Sequence, residues 1–237
     1  MMLYTSTEMA VRTIGTRPRF DLAQAAVGGT ATTMIAILDY GAGNLRSVLK
    51  GLQATGAMCR VTSDPADVAR ARALVIPGVA AAADTMSGLR ARGLVEPALE
   101  ALRDGKPFLG ICMGLQALMT FSEEGDGEAC MDVLHGSVLK LPHSVKVPHM
   151  GWNQVVQRRS GAWLLDGIPD GANFYFVHSF YAQPQDEATI LADTDYGVRM
   201  PSVVVRDHIA ATQFHPEKSG RWGLRLLENF ARFAGER

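Results

Sequence analysis

The sequence predicts an α/β fold: a mostly parallel central sheet flanked by helices, with an additional antiparallel or mixed portion. Three observations carry that expectation. Ile35-Ala36-Ile37-Leu38 is an unbroken apolar strand, and it runs through a Gly-bearing turn into Leu45, Val48, Leu49 and Leu52 at helical spacing. An apolar strand followed directly by an amphipathic helix marks a parallel sheet covered on both faces. The alternation then repeats with no internal repeat and no long linker, so residues 34–237 read as a single domain.

The next apolar stretch lies near Ala57 to Thr62, with a short helix near Asp67 and a strand at Ala73 to Ile76 ended by Pro77-Gly78. Helical patterns fill Ala81 to Arg103 with a break near Gly93, and Pro107 to Ile111 is a further strand running into Cys112, after which helix resumes. Beyond about Val133 the strands shorten between Pro and Gly turns, which suits an antiparallel or mixed continuation of the same sheet. Leu224, Leu227 and Phe230 mark one face of a closing helix. Residues 1–33 are Thr-rich and lack a sustained apolar period. They read as a disordered extension or as sequence upstream of a working start at Met34, the second slightly preferred, with an Arg-bearing transit peptide as a weaker third reading.

Lys plus Arg number 23 against 24 for Asp plus Glu, so the chain has no electrostatic footprint for a nucleic acid or an anionic membrane surface. No apolar run approaches the ~18 residues of a membrane span. Cys59, Cys112 and Cys130 form no CxxC pair and leave an odd count, which suits a reducing compartment, the cytoplasm. The Cys and His spacings match no zinc pattern.

The strongest local signal is Gly110-Ile111-Cys112-Met113-Gly114-Leu115-Gln116 between a buried strand and a helix. A nucleophile on a tight strand-to-helix turn needs small neighbours two positions before and after it, and Gly110 and Gly114 meet that need. The turn places Cys112 at a helix N-terminus, where backbone N–H groups favour thiolate over thiol. A thiolate attacking a carbonyl also needs a base and a group to orient that base. His215 and Glu217 in Phe214-His215-Pro216-Glu217 are the candidates, because residues two apart on an extended segment point the same way. His135, His143, His149, His178 and His208 have no acid so placed. For an oxyanion site, the turn Pro77-Gly78-Val79-Ala80 and the N–H of Met113 are available, although an ordinary strand-ending turn explains the first equally well.

These residues resemble the class I glutamine amidotransferases with a Cys-His-Glu triad: GICMGLQ and QFHPEKS both fit. Within that family, DYGAGNLRSV (39–48), IPGV (76–79), PHMGWN (148–153) and YFVHSFY (175–181) are most similar to the glutaminase subunits of imidazole glycerol phosphate synthases. The resemblance spans residues 34–237. It implies a single-domain, flavodoxin-like glutaminase that hydrolyses L-glutamine through a Cys112 thioester, with His215 as acid/base and Glu217 as its orienting partner, and without a metal or organic cofactor. It further implies Gln116, Ser179 and Phe180 around the substrate, and Gly78, Val79 and Met113 at the oxyanion. The implied partner is a separate (β/α)₈ cyclase subunit of histidine biosynthesis, forming a heterodimer and receiving ammonia, with Asn44, Trp152, Tyr175 and Lys218 at or near the contact. One departure stands out: the family strand usually reads PGVG, and here it ends in Ala80. Alanine makes a positive φ there costly by about 1 kcal/mol.

Overall fold

Four short strands are buried along their whole length, as a sheet covered on both faces requires: β1 Ile35–Leu38, and three others of the same character further along the chain. A computed structural model describes residues 34–41 and 43–236; the expectations for residues 1–33 lie outside it. After β1 come α1 Leu45–Ala54, β2 Cys59–Thr62, α2 Pro65–Arg70, β3 Ala73–Ile76, α3 Ala82–Ala91, α4 Val95–Arg103, β4 Phe108–Ile111 and α5 Met113–Gln116. The chain continues through β5 Phe121–Ser122, β6 Glu128–Ala129, β7 Gly136–Lys140, β8 His149–Gln157, β9 Ala172–His178, β10 Phe180–Pro184, β11 Ile190–Asp195, β12 Arg199–Arg206 and β13 Ile209–Thr212. It closes with a 3₁₀ turn, Pro216–Lys218, and α6 Gly220–Glu236. Local chemistry explains several starts and stops. Asp64, for example, caps α2 by accepting from the Ala66 N–H, with Pro65 at the first helical position.

The main sheet has nine strands in the order β2-β1-β3-β4-β13-β12-β11-β8-β9. The first five are parallel to one another, and from β13 onward every neighbour is antiparallel. The parallel portion, read 2-1-3-4 and then β13, has the flavodoxin-like order, which places ligands beyond the carboxyl ends of its strands. Ile37, Val48, Leu52, Val75 and Leu226 pack on one side of it, and Leu38, Leu74, Ile76, Leu89 and Phe108 on the other.

Three details differ from the sequence expectation. The irregular region starts at Phe121 rather than near Val133, and β5, β6, β7 and β10 form a separate four-stranded sheet instead of extending the first. The helix after Cys112 has only four residues. Leu224 is exposed on α6, whose buried face is Leu226, Leu227, Phe230 and Ala234; counting from Phe230, the i−3 and i−4 positions are 227 and 226.

Gly223 in α6 supplies a test of this packing. A Cβ there would lie 1.9 Å from the Pro216 carbonyl oxygen. Gly→Ala in a helix ordinarily stabilises by about 1 kcal/mol, whereas Gly223→Ala is expected to destabilise by about 1–3 kcal/mol through overpacking. Thermal melting reads the sign, and an unchanged or raised Tm contradicts the close approach.

Candidate active site

The Cys112 turn is held by crowding. Cys112 has φ 53° and ψ −101°, a strained backbone for a residue with a Cβ. Its N–H donates to Thr212 O at 2.7 Å, and its carbonyl accepts from Leu115 and Gln116 at 3.0 and 3.2 Å. A Cβ on Gly110 would meet Gly114 O at 2.6 Å, and one on Gly114 would meet Ile76 O at 2.0 Å. Both glycines are therefore required by the approach of three backbone segments, as the motif predicts. The helix-dipole part of the expectation is weaker: four residues accumulate little macrodipole, so the surroundings of the sulfur are set by individual donors.

His215 Nδ1 lies 2.8 Å from Glu217 Oε1, with the two side chains 1% and 0% exposed. The pairing arises differently from the extended alternation expected. His215 is the N-cap of the 3₁₀ turn Pro216–Lys218, and that turn folds Glu217 back beneath the ring. The turn is fastened to β9: His215 N donates to Tyr175 O, the Ser219 hydroxyl donates to His215 O at 2.6 Å, and Ser219 Oγ accepts from Tyr175 N. Burial opposes charge on His215, but Cys112 and Glu217 beside it outweigh that and push its pKa up to about 9. Nε2, the nitrogen left to face the sulfur, makes no hydrogen bond, and neither does Glu217 Oε2. The sulfur lies close enough to the ring to favour its charged form.

Cys112, Met113, Gln116, Val79, Ala80, Ser179 and Phe180 line one cavity of about 240 Å³, small enough for a single amino acid. A larger hollow of about 460 Å³ lies among Ile35, Thr55, Met58, Arg72 and Arg232 and borders no triad residue. Gly78 packs tightly behind the turn; a Cβ there would fall 2.3 Å from Met113 Cβ. The Tyr40 hydroxyl donates to Pro77 O at 2.6 Å, and burial drives its pKa up to about 12. Positive φ among described non-glycine residues occurs at Cys112, Asp132 and Asp207, so Ala80 is outside that region.

Gln213 and Asn153 were given no role in the sequence reading, and His149 and His178 entered it only as rivals to His215. Gln213 is fully buried and donates from Nε2 to Cys112 Sγ at 3.7 Å. His149, His178 and Asn153 form a row whose polarity can be read from its end. The Phe180 carbonyl can only accept, so His178 Nδ1 (2.9 Å) carries the proton there, and His178 Nε2 accepts from His149 Nδ1 at 3.1 Å. His149 Nε2 then accepts from Asn153 Nδ2 at 3.3 Å. Burial holds both rings neutral, at about 4 for His149 and about 3 for His178. The signal was present in PHMGWN and YFVHSFY, but no spacing rule pairs residues 149 and 178; the β8–β9 register does.

Three of the four expected partner-facing residues gather on one face. Trp152, 59% exposed, meets Tyr175 edge-on with centroids 6.1 Å apart, and Lys218 Nζ sits 5.9 Å from the Tyr175 ring centre. Asn44, half-buried, donates from its amide to Glu217 Oε1 at 3.4 Å.

A family model described as "Glutamine amidotransferase class-I" matches residues 36–233. The chain belongs to the class I glutamine amidotransferases. It is 51% identical over 201 residues to a protein named imidazole glycerol phosphate synthase subunit HisH of Dehalococcoides mccartyi, covering 85% of this chain and 98% of that one. A protein of the same name from Chloroflexus aurantiacus is 50% identical over 204 residues, covering 85% and 96%. Among solved structures, one titled as a glutamine amidotransferase superposes with TM-score 0.68 at 18% identity, covering 85% of this chain and 98% of the other, and shows the same fold. Membership makes the chain an enzyme. No helix among the described residues is long and apolar enough to cross a membrane.

The neutral pair His149 and His178 predicts an acid-sensitivity with a definite sign. Their folded pKa values lie below the unfolded value of about 6.5, so between pH 6.5 and 4 the unfolded chain binds protons that the folded one refuses, and stability falls as pH falls. His149→Phe keeps a ring between Phe176 and Tyr196 while removing one such site. Denaturant midpoints from pH 7 to 4.5 are expected to fall less steeply for the variant; parallel slopes contradict a neutral His149.

Proposed function

We propose that this chain is the glutaminase subunit of an imidazole glycerol phosphate synthase, working in the cytoplasm and hydrolysing L-glutamine to glutamate and ammonia. Cys112 on the wall of an amino-acid-sized cavity, with the buried His215–Glu217 pair close enough to respond to its sulfur, carries the reading, and relatives of that name aligned over nearly their whole length support it. Cys112 Sγ attacks the side-chain amide carbon, and the oxyanion is met by N–H groups of the Gly78-Val79 turn and Met113. His215 protonates the departing ammonia, leaving a γ-glutamyl thioester. It then takes a proton from water, whose oxygen attacks the thioester and releases glutamate and the thiolate. Glu217 holds the imidazolium that forms in each half. Gln116, Ser179 and Phe180 line the substrate side.

Ammonia release into water would waste the product, so its consumer must seat at the cavity mouth. The exposed face of β8 and β9 is placed for that: Trp152 pairs with Tyr175 and Met150 with Val177, and Val177 also lines the cavity. The partner is a cyclase subunit, which we take to be a (β/α)₈ barrel docking on Trp152, Tyr175 and Lys218 as a heterodimer. Asn44, bonded to Glu217, supports the triad from beside that surface.

Cys112→Ala is expected to abolish glutamine-dependent synthesis while ammonia-dependent synthesis by the assembled cyclase persists; ammonia release from glutamine by the variant refutes the assignment. Ala80→Gly relieves the bar on positive φ in the oxyanion turn. It is expected to change the ratio of glutaminase turnover with and without liganded cyclase, and identical ratios in the two proteins would show that Ala80 does not limit the turn.

A further inference from the structure

Gln213 lies between two side chains of the site and is wholly shielded from water. Burying a primary amide is costly unless its groups are bonded, so its partners say what it is held for. Which end faces the sulfur follows from its neighbours. Gln116 bonds the Phe180 carbonyl at 2.8 Å, and since a carbonyl can only accept, that atom of Gln116 is Nε2. The same Nε2 lies 3.3 Å from Gln213, so the Gln213 atom there is Oε1. The remaining Nε2 of Gln213 then points its N–H at Cys112 Sγ, 3.7 Å away. Phe180 O also accepts from His178, so the anchor of the row is gripped from two sides.

We propose that Gln213 is a catalytic residue of the glutaminase reaction: its amide N–H stabilises negative charge on the Cys112 sulfur, both before attack and when the sulfur leaves as thiolate in thioester hydrolysis. The inference rests on Cys112 being the nucleophile. His215 and Gln213 divide the work at the sulfur. His215, held toward its charged form by the sulfur and Glu217, exchanges a proton with the leaving group and with water, whereas an amide neither gains nor loses one and remains a donor throughout the cycle. The donor is aimed by the strand that lines the substrate side, because the orientation of Gln213 descends from Phe180 O through Gln116. The other titratable groups facing this region are Tyr40 after β1, His178 at the end of β9 and Glu124 after β5, whose Oε2 accepts from Ala82 N. A pH profile therefore needs comparison between variants of Gln213 and not interpretation on its own.

Gln213→Met keeps the length and removes the donor; Gln213→Glu keeps the shape and adds negative charge beside the sulfur. In the full chain with its cyclase, both are expected to lower kcat for glutamine hydrolysis by about tenfold or more, with a much smaller change in KM. The acid limb of kcat/KM moves to higher pH, and alkylation of Cys112 by iodoacetamide at neutral pH slows, followed by peptide mass mapping so that Cys59 and Cys130 are counted separately. A structural role alone predicts the reverse split: lower Tm and higher KM, with kcat, the acid limb and alkylation unmoved, and that result overturns the proposal. If Gln213→Met does not fold, Gln213→Glu decides by the same readouts. A wild-type Cys112 that resists alkylation while glutamine is still hydrolysed would refute the nucleophile itself, which is a separate failure.

Discussion

The candidate site is built around a close approach of three backbone segments at the carboxyl end of β4. Gly110, Gly114 and the end of β3 come so near that a methyl group at either glycine would strike a carbonyl. That crowding keeps Cys112 in a backbone state it would leave if free, because the neighbouring segments leave no room to relax. It also presses the Pro77-Gly78 turn against Met113, so the two proposed oxyanion donors stand beside Cys112 through packing. A short helix is enough, since its task is to turn the chain and not to supply a long dipole.

The histidines of the site divide by environment. His215, His149 and His178 are all buried, and burial alone pushes each toward the neutral form. Only His215 has a carboxylate against it, and with Cys112 that reverses the outcome. The other two are silent as proton carriers near neutral pH and serve as oriented dipoles. One carboxylate, delivered by a three-residue turn, separates the ring held toward charge from the two held neutral.

Much of this was legible in sequence. The apolar runs of β1, β3 and β4 and the helical spacing after β1 gave the parallel portion, because both signals are local and periodic. The strained turn at Cys112 was legible because its steric demand appears as two glycines at fixed spacing, and the contact of His215 with Glu217 because they are neighbours. What failed was non-local or depended on a fine phase. The separate four-stranded sheet is built from strands of two to five residues, too short to carry a period. Leu224 was one residue out of phase with the buried face of α6. Asn44 meets Glu217 across 173 positions of chain, and the His149–His178 pair exists through strand register. Ser219, which ties the His215–Glu217 turn to β9, gave no signal beyond its place in a motif.

The row from Asn153 to Phe180 has one further property. Each imidazole in it gives a proton on one side and takes one on the other, and the terminal carbonyl cannot give. The row therefore has a single permitted sense, like a line of dominoes that falls only one way. Reversing either ring puts donor against donor or lone pair against lone pair, so one flip cannot be absorbed locally. Phe180, at the edge of the cavity, inherits this rigidity from Asn153, which is itself tied to Asp195 O in the hairpin beyond β8. The position of a carbonyl at the cavity wall is thereby set partly in the β11–β12 hairpin of the other sheet.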